Sequence, residues 1–266
     1  MKPWRKRRER APSWMNKETT GCIKEGERLD DLQRNNLFII QNPEKFCFGM
    51  DAVLLSGFAA AHAAASCRQI LDLCTGNGII PLLLSAKTKA DKITGIEIQT
   101  EIAEMAVRSV SMNSLEDKIA ILNCDIKEAS DHIRMASFDM VTVNPPYFKA
   151  GHGITNPEDS KTISRHEVAC TLNDVLAVSA SALKNGGYFY MVHKPQRTAD
   201  VIYEMRRAGI EPKTLKLVHP YISSEASMIL IEGRKGAGAE MRIEPPLIIY
   251  GEDGKYTGEM YTIYGY

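Results

Sequence analysis

The chain has 266 residues and a mass of 29.6 kDa, is 44% hydrophobic and 25% charged, and carries no formal net charge. This composition excludes disorder over most of the length, any fibrous repeat and a helical membrane protein, because no apolar run is long enough to span a bilayer. The neutrality is uneven: residues 1–10 hold six Lys/Arg and one Glu, leaving 27 basic against 32 acidic residues in the remainder. A basic leader on a mildly acidic body is not the surface of a general nucleic-acid coat. With no apolar block behind it, the leader does not read as a secretory signal, and Met15 is a second candidate start.

Taken in chain order, residues 28–42 read as a strand or short hairpin centred on Leu37-Phe38-Ile39-Ile40, broken by Asn42-Pro43. Asp51 is a candidate N-cap for an Ala-rich helix over 52–65. From residue 70 onward, β-like runs at 70–74, 92–98, 119–124, 138–143 and 187–193 alternate with helical stretches near 79–87, 100–113, 126–135, 171–184 and 196–208. Such alternation predicts βαβ units and a mainly parallel sheet. The runs 213–219 and 227–232 leave no room for a crossover helix, so they should pair antiparallel. Residues 234–266, with Pro245-Pro246 and Tyr256, Tyr261, Tyr264 and Tyr266, read as a surface-packed tail.

Six cysteines at 22, 47, 67, 74, 124 and 170 form no CxxC pair, and the six histidines are equally dispersed. Neither a metal site nor a redox motif is expected, and single cysteines in apolar surroundings suit a reducing, cytoplasmic compartment.

The first strand of the alternating region runs into Asp72-Leu73-Cys74-Thr75-Gly76-Asn77-Gly78. Glycines at 76 and 78 let the backbone pass close to a ligand where a helix N-terminus offers unpaired N–H groups. Glu97 closes the second strand at the spacing where an acid reaches a ribose diol. Asp125, flanked by Cys124 and Ile126, closes the third and is placed for the base. Position 81, where a third glycine would serve a pyrophosphate, is Pro. Together these features suit one nucleoside without a diphosphate, hence S-adenosylmethionine rather than NAD.

The fourth strand ends in Asn144-Pro145-Pro146-Tyr147, then Phe148. Consecutive prolines give a rigid, extended exit. The Asn144 side-chain oxygen and the Pro145 carbonyl are then available to accept both hydrogens of a single planar –NH2 group, with Tyr147 a face for stacking. Adenine's exocyclic amine is a poor nucleophile because its lone pair is delocalised; two acceptors favour the pyramidal form and stabilise charge developing on nitrogen. A base extruded from its stack is the usual way into such a site.

These motifs resemble class I S-adenosylmethionine-dependent methyltransferases that modify planar exocyclic or amide nitrogens. With residues 41–55 (QNPEKFCFGMDAVLL) and 151–167, the chain more closely resembles the bacterial tRNA1(Val) adenine-37 N6-methyltransferase family, from about Leu29 to Gly233. The resemblance implies an α/β Rossmann-like fold: a doubly wound, mainly parallel seven-stranded sheet with an antiparallel C-terminal strand and a small N-terminal extension. It implies cofactor contacts from Phe48, Gly49, Asp51, Asp72, Cys74, Thr75, Gly76, Asn77, Gly78, Glu97, Ile98, Cys124, Asp125, Ile126 and Asn144, and catalysis at Asn144, Pro145, Pro146 and Tyr147. Substrate would meet Tyr147, Phe148, His152, Lys161, Arg165 and His166, with Lys194, Arg197, Arg206 and Arg207 extending a phosphate track.

The expected organisation is a basic leader (1–27), a strand and helix capping the cofactor site (28–66), the methyltransferase domain (67–233) and the tail (234–266). The expected partner is tRNA, with no membrane and no metal, and the chain a monomer or weak dimer. The NPPY motif is shared with rRNA, DNA and protein-glutamine methyltransferases, so N5 of a glutamine or another nucleic-acid adenine stays open as the acceptor. A non-catalytic RNA-binding protein on the same fold is the reading from another class.

Overall fold

The computed structural model describes residues 22–146 and 170–265. A hairpin of β1 (Arg28–Asp31) and β2 (Phe38–Gln41) leads to helix α1 (Met50–His62). The alternating region follows as β3 (Gln69–Leu73), α2 (Ile79–Lys87), β4 (Lys92–Glu97), α3 (Thr100–Met112) and β5 (Ile119–Asn123). A 3-10 turn (Ile126–Glu128) and short helix α4 (Ala129–His132) lead to β6 (Phe138–Val143). The remaining elements are α5 (Leu172–Ala182), β7 (Leu183–His193), α6 (Thr198–Arg207), β8 (Ile210–His219), β9 (Met228–Lys235), β10 (Arg242–Ile243), β11 (Leu247–Ile248) and α7 (Gly258–Tyr264).

The main sheet has the order β10-β8-β9-β7-β6-β3-β4-β5, with β11 also on β8. Among the described residues only β9 runs against its neighbours in this sheet; it lies between β7 and β8 and pairs antiparallel with both. The expected α/β sheet closed by an antiparallel pair is therefore present. Its seven longer strands are extended by β10 and β11, two-residue strands that pair parallel with β8. Residues after 234 thus complete the sheet, and Leu247, Ile249, Met260 and Tyr264 are buried beneath it.

Strand alternation divides the interior into two layers. Ile70, Met140, Tyr190 and Leu230 face the layer built with α1 and α2. Their neighbours Leu71, Val141, Phe189, Met191, Ile229 and Ile231 face the layer built with α5 and α6. The strands read as nearly continuous apolar runs because both faces are covered. Fully buried Leu54 and Leu55 of α1 are each worth about 2–5 kcal/mol against Ala.

Helix boundaries differ from expectation where backbone chemistry, rather than periodicity, sets the limit. Gly49 and not Asp51 is the N-cap of α1; Asp51 sits in the first turn, where its carboxylate complements the positive end of the helix dipole and its Oδ1 accepts from the Ala52 N–H at 3.0 Å. The helix expected over 126–135 is reduced to a 3-10 turn and one α-turn. Asp125 caps that turn by accepting from the Lys127 N–H. β7 begins at Leu183, four residues before the expected start, because Ala182 ends α5 with no intervening loop.

Side chains of α3 complete the backbone pairing that the hairpin cannot supply itself. Asn113 brackets Phe38, accepting from its N–H at 2.9 Å and donating to its carbonyl at 2.7 Å, and Ser109 Oγ accepts from the Ile40 N–H at 3.0 Å. Further along α3, Arg108 grips the Glu27 carboxylate in a bidentate pair at 2.6 and 2.7 Å. That pairing holds Glu27 below the ordinary carboxylate range.

Candidate active site

At the carboxyl edge of the parallel strands lies a cavity of about 320 Å³, within the size range of small-molecule sites. Three strand ends converge on it because β6, β3 and β4 are adjacent in the sheet. From β3 come Cys74, Thr75 and Gly76; from β4 come Ile96, Glu97, Ile98 and Gln99; from β6 come Asn144, Pro145 and Pro146. Asp125 and Ile126 close one side, and Phe46, Cys47, Phe48, Gly49, Asp51 and Ala52 cover the site from the N-terminal segment.

The Gly-rich turn owes its shape to a buried carboxylate. Asp72 is fully enclosed; the Thr142 hydroxyl donates to its Oδ1 and the Thr75 hydroxyl to its Oδ2, both at 2.6 Å. Burial pushes the Asp72 carboxyl up to about 7, opposed by the two hydroxyls and reinforced by the nearby Glu97 charge. In the sheet register Asp72 stands opposite Thr142 on one side and Gly95 on the other. A Cβ at Gly95 would lie 2.8 Å from the Thr75 hydroxyl oxygen, so the glycine makes room for this bond. The Asp72–Thr142 bridge ties the Gly-rich turn to the strand carrying Asn144 two residues further on.

Beyond Asp72 the backbone turns through left-handed conformations at Cys74, Gly76 and Gly78. At Gly76 a Cβ would lie 2.9 Å from the Phe46 ring, so only glycine lets the aromatic cover the turn. Gly78 serves a different purpose: a Cβ there would crowd Ala106 of α3 at 3.3 Å. Cys74 donates its S–H to Cys170, and this bond, together with burial, holds the Cys74 thiol protonated.

Glu97 is 5% exposed and fixed by three donors. The Gly76 N–H reaches Oε2 at 2.9 Å, while the Gln99 N–H and side-chain amide reach Oε1 at 3.0 and 3.2 Å. Asp125 is oriented by the Lys127 N–H on Oδ1 at 3.0 Å. The covering segment hangs from the hairpin: the Phe48 N–H donates to Gln41 Oε1 at 3.0 Å, and Gln41 donates onward to Asp30. The result is a largely apolar slot with two fixed carboxylates along one wall and an Asn-Pro-Pro exit at its rim.

Of the residues expected to contact a cofactor, Phe48, Gly49, Asp51, Cys74, Thr75, Gly76, Glu97, Ile98, Asp125, Ile126 and Asn144 line this cavity. Asp72, Asn77, Gly78 and Cys124 stand outside its lining. Asn77 is buried and donates to the Ile40 carbonyl at 3.2 Å, joining the turn to the hairpin. Tyr147, Phe148, His152, Lys161, Arg165 and His166 lie outside the described residues. Lys194 and Arg197 follow β7 on the cavity edge. Arg206 and Arg207 close α6 and precede β8, so chain direction puts them at the opposite edge, where they pair with Glu211 and Glu204.

Sequence reasoning left out Cys170, Ile79, Ile80, Ile96 and Gln99, which also line the cavity. Gln99 carried a readable signal, a polar residue two positions past the strand-end acid. Among the described residues, no cluster of three or more His, Cys, Asp or Glu side chains is placed to hold a metal ion, and no helix is long and apolar enough to cross a membrane.

A mainly parallel sheet with one antiparallel strand inserted near its edge, and a nucleoside-sized slot over its first strands, is the fold of the class I methyltransferases. The model of the methyltransferase small domain family matches residues 49–208, and the chain belongs to that family. It is 29% identical over 216 residues to a tRNA1(Val) (adenine(37)-N6)-methyltransferase of Porphyromonas gingivalis strain W83, covering 79% of this chain and 84% of that one. Among solved structures it is similar to an Agrobacterium tumefaciens protein described as a predicted O-methyltransferase. That match has a TM-score of 0.66 and 23% identity, over 81% of this chain and 96% of the other. It is also similar to the Thermus thermophilus 16S rRNA N2 G1207 methyltransferase, solved with AdoMet and guanosine. There the TM-score is 0.56 and the identity 19%, over 80% of this chain and 51% of the other.

Proposed function

We propose that this protein transfers a methyl group from S-adenosylmethionine to the exocyclic N6 of an adenine in tRNA, at position 37 of tRNA1(Val). The observation that carries the reading is the meeting in one cavity of Asn144-Pro145-Pro146 with the Gly76 turn, Glu97 and Asp125. The similarity to curated tRNA1(Val) (adenine(37)-N6)-methyltransferases supports the substrate.

The residues fit the cofactor. Glu97 is a fixed carboxylate for a ribose diol, Asp125 a second acceptor beside the base, and the apolar wall of Ile79, Ile80, Ile96 and Ile98 suits a flat purine. When bound, S-adenosylmethionine supplies an electrophilic methyl group. Asn144 Oδ1 and the Pro145 carbonyl accept the two hydrogens of the target amine, which concentrates its lone pair and aims it into the cavity. The same oxygens stabilise positive charge on nitrogen as the bond forms. The amine proton becomes acidic only after transfer, so no strong base is needed at the rim. Tyr147, which follows Pro146 outside the described residues, is proposed as the ring offered to the extruded base.

The test is methyl transfer from labelled S-adenosylmethionine to unmodified tRNA, with protein and duplex DNA in parallel, followed by digestion of the product. N6-methyladenosine from tRNA alone is expected. Label in protein would overturn the substrate and favour a glutamine side chain, whose planar amide the same two acceptors can hold.

A further inference from the structure

The cavity edge continues beyond the site just described. Since β7 and β8 run parallel to β6 and β9 runs against them, this edge carries, in order, Asn144 after β6, Lys194 after β7, Ser227 before β9 and Tyr221 just past β8. Three strand spacings of about 4.8 Å separate β6 from β8, so Tyr221 stands on the order of 14 Å along the edge from Asn144.

The loop bearing Tyr221 is tied down. His219 Nδ1 donates to the Ser224 carbonyl at 2.7 Å, the Ser224 N–H to the Tyr221 carbonyl at 3.0 Å, and the Ser227 N–H to the Val218 carbonyl at 2.8 Å. The Tyr250 N–H donates to the Pro220 carbonyl at 2.9 Å. On this fixed loop two large apolar side chains face water, Tyr221 at 43% and Ile222 at 72% exposure. Behind Tyr221 stands a column of rings: Tyr250 at 5.4 Å between centroids, then Tyr256 and Tyr264 at 5.4 Å each. The C-terminal segment thus places an aromatic support behind a half-exposed ring.

We propose that Tyr221, backed by Tyr250, is a stacking platform for an unpaired RNA base a few nucleotides from the one being methylated. This rests on the RNA reading above. At a stacked rise of about 3.4 Å per nucleotide, 14 Å is roughly four steps, and fewer if the strand is extended. A stacking platform takes any base, because every base has a π-face. The loop has no cationic side chain of its own and carries exposed Glu225, so its grip is the ring. Lys194 and Arg197, the latter shared with Asp200, lie between platform and cavity, along the path of the phosphates. An RNA strand satisfies both the flat apolar end and the basic middle of this edge.

The test uses the full chain and a labelled, unmodified anticodon stem-loop RNA, followed by anisotropy. Tyr221→Ala and Tyr221→Leu should each raise Kd by roughly 5- to 150-fold, and Tyr221→Phe and Tyr221→Trp should stay near wild type. Leu keeps the packing on Tyr250 without a π-face, so it separates stacking from loop collapse. S-adenosylmethionine affinity should be unchanged in all four. Wild-type binding with an equal Kd for the Ala and Leu variants would overturn the platform, as would no RNA binding by the wild type. The parallel methyl-transfer assay reports on the reaction separately: tRNA methylation with Tyr221-independent binding would leave the function standing and remove the platform alone.

Discussion

Replacing Glu97 tests the cofactor geometry most directly. A carboxylate offers about four lone-pair sites, and three are already filled by the Gly76 N–H, the Gln99 N–H and the Gln99 side-chain amide. One site is left for a ribose hydroxyl; the second hydroxyl gains a place only when the Gln99 amide, the longest of the three bonds at 3.2 Å, yields. Glu97→Ala therefore removes at least one charge-assisted bond, about 1.5–3 kcal/mol, which is a rise of roughly 10- to 150-fold in Kd for S-adenosylmethionine. It also strands the buried Gly76 N–H, lowering stability by about 1–3 kcal/mol. Glu97→Gln should fall between wild type and Ala, since its amide keeps one acceptor but turns a donor toward one of the N–H groups. Isothermal titration with S-adenosylmethionine, paired with thermal unfolding, reads both effects. A folded Glu97→Ala variant with Kd within about threefold of wild type would refute the placing of the ribose.

The chemistry predicts that Asn144→Ala lowers kcat by about 10²–10³-fold, with a much smaller change in cofactor Kd, as read by single-turnover methyl transfer and titration. Asp72 has its folded-state pKa raised from 3.8 to about 7. Its contribution to stability is therefore present below about pH 4 and lost as pH rises toward 7, by at most about 4 kcal/mol. Asp72→Asn should remove that slope, so its urea midpoint relative to wild type improves from pH 4.5 to 7.5; parallel profiles would count against it. Lys87, half-buried with its ammonium donating to Ser56 Oγ and close to Arg34, has its pKa lowered to about 7, chiefly by desolvation. Wild-type stability should then rise from pH 7 to 10, and the advantage of Lys87→Met in thermal midpoint should be largest below pH 7 and shrink above it.

The strand–helix alternation, the antiparallel close and the positions of Glu97, Asp125 and Asn144 were all readable from the chain. Each is a local matter: apolar runs of strand length, a turn that needs glycine, an acid or amide at a strand end. Chain order along a parallel sheet then brings strand ends to one edge. What local pattern could not separate was which residue of a motif faces the ligand and which supports it. Asp72 and Gly78 belong to the same turn as Gly76, yet Asp72 bonds Thr142 across the sheet and Gly78 accommodates Ala106. Both roles depend on partners 70 and 28 positions away in sequence. Arg206 and Arg207 look like an extension of Lys194 and Arg197 in sequence, but a helix that returns across the sheet carries them to its far edge. The Tyr-rich end read as a surface tail, because nothing in its own periodicity reveals that β10 and β11 pair with β8 or that its rings line up behind Tyr221. Composition and spacing determined the layers and the chemical groups; pairing between distant segments, which is paid for only in the folded state, decided which of those groups meet.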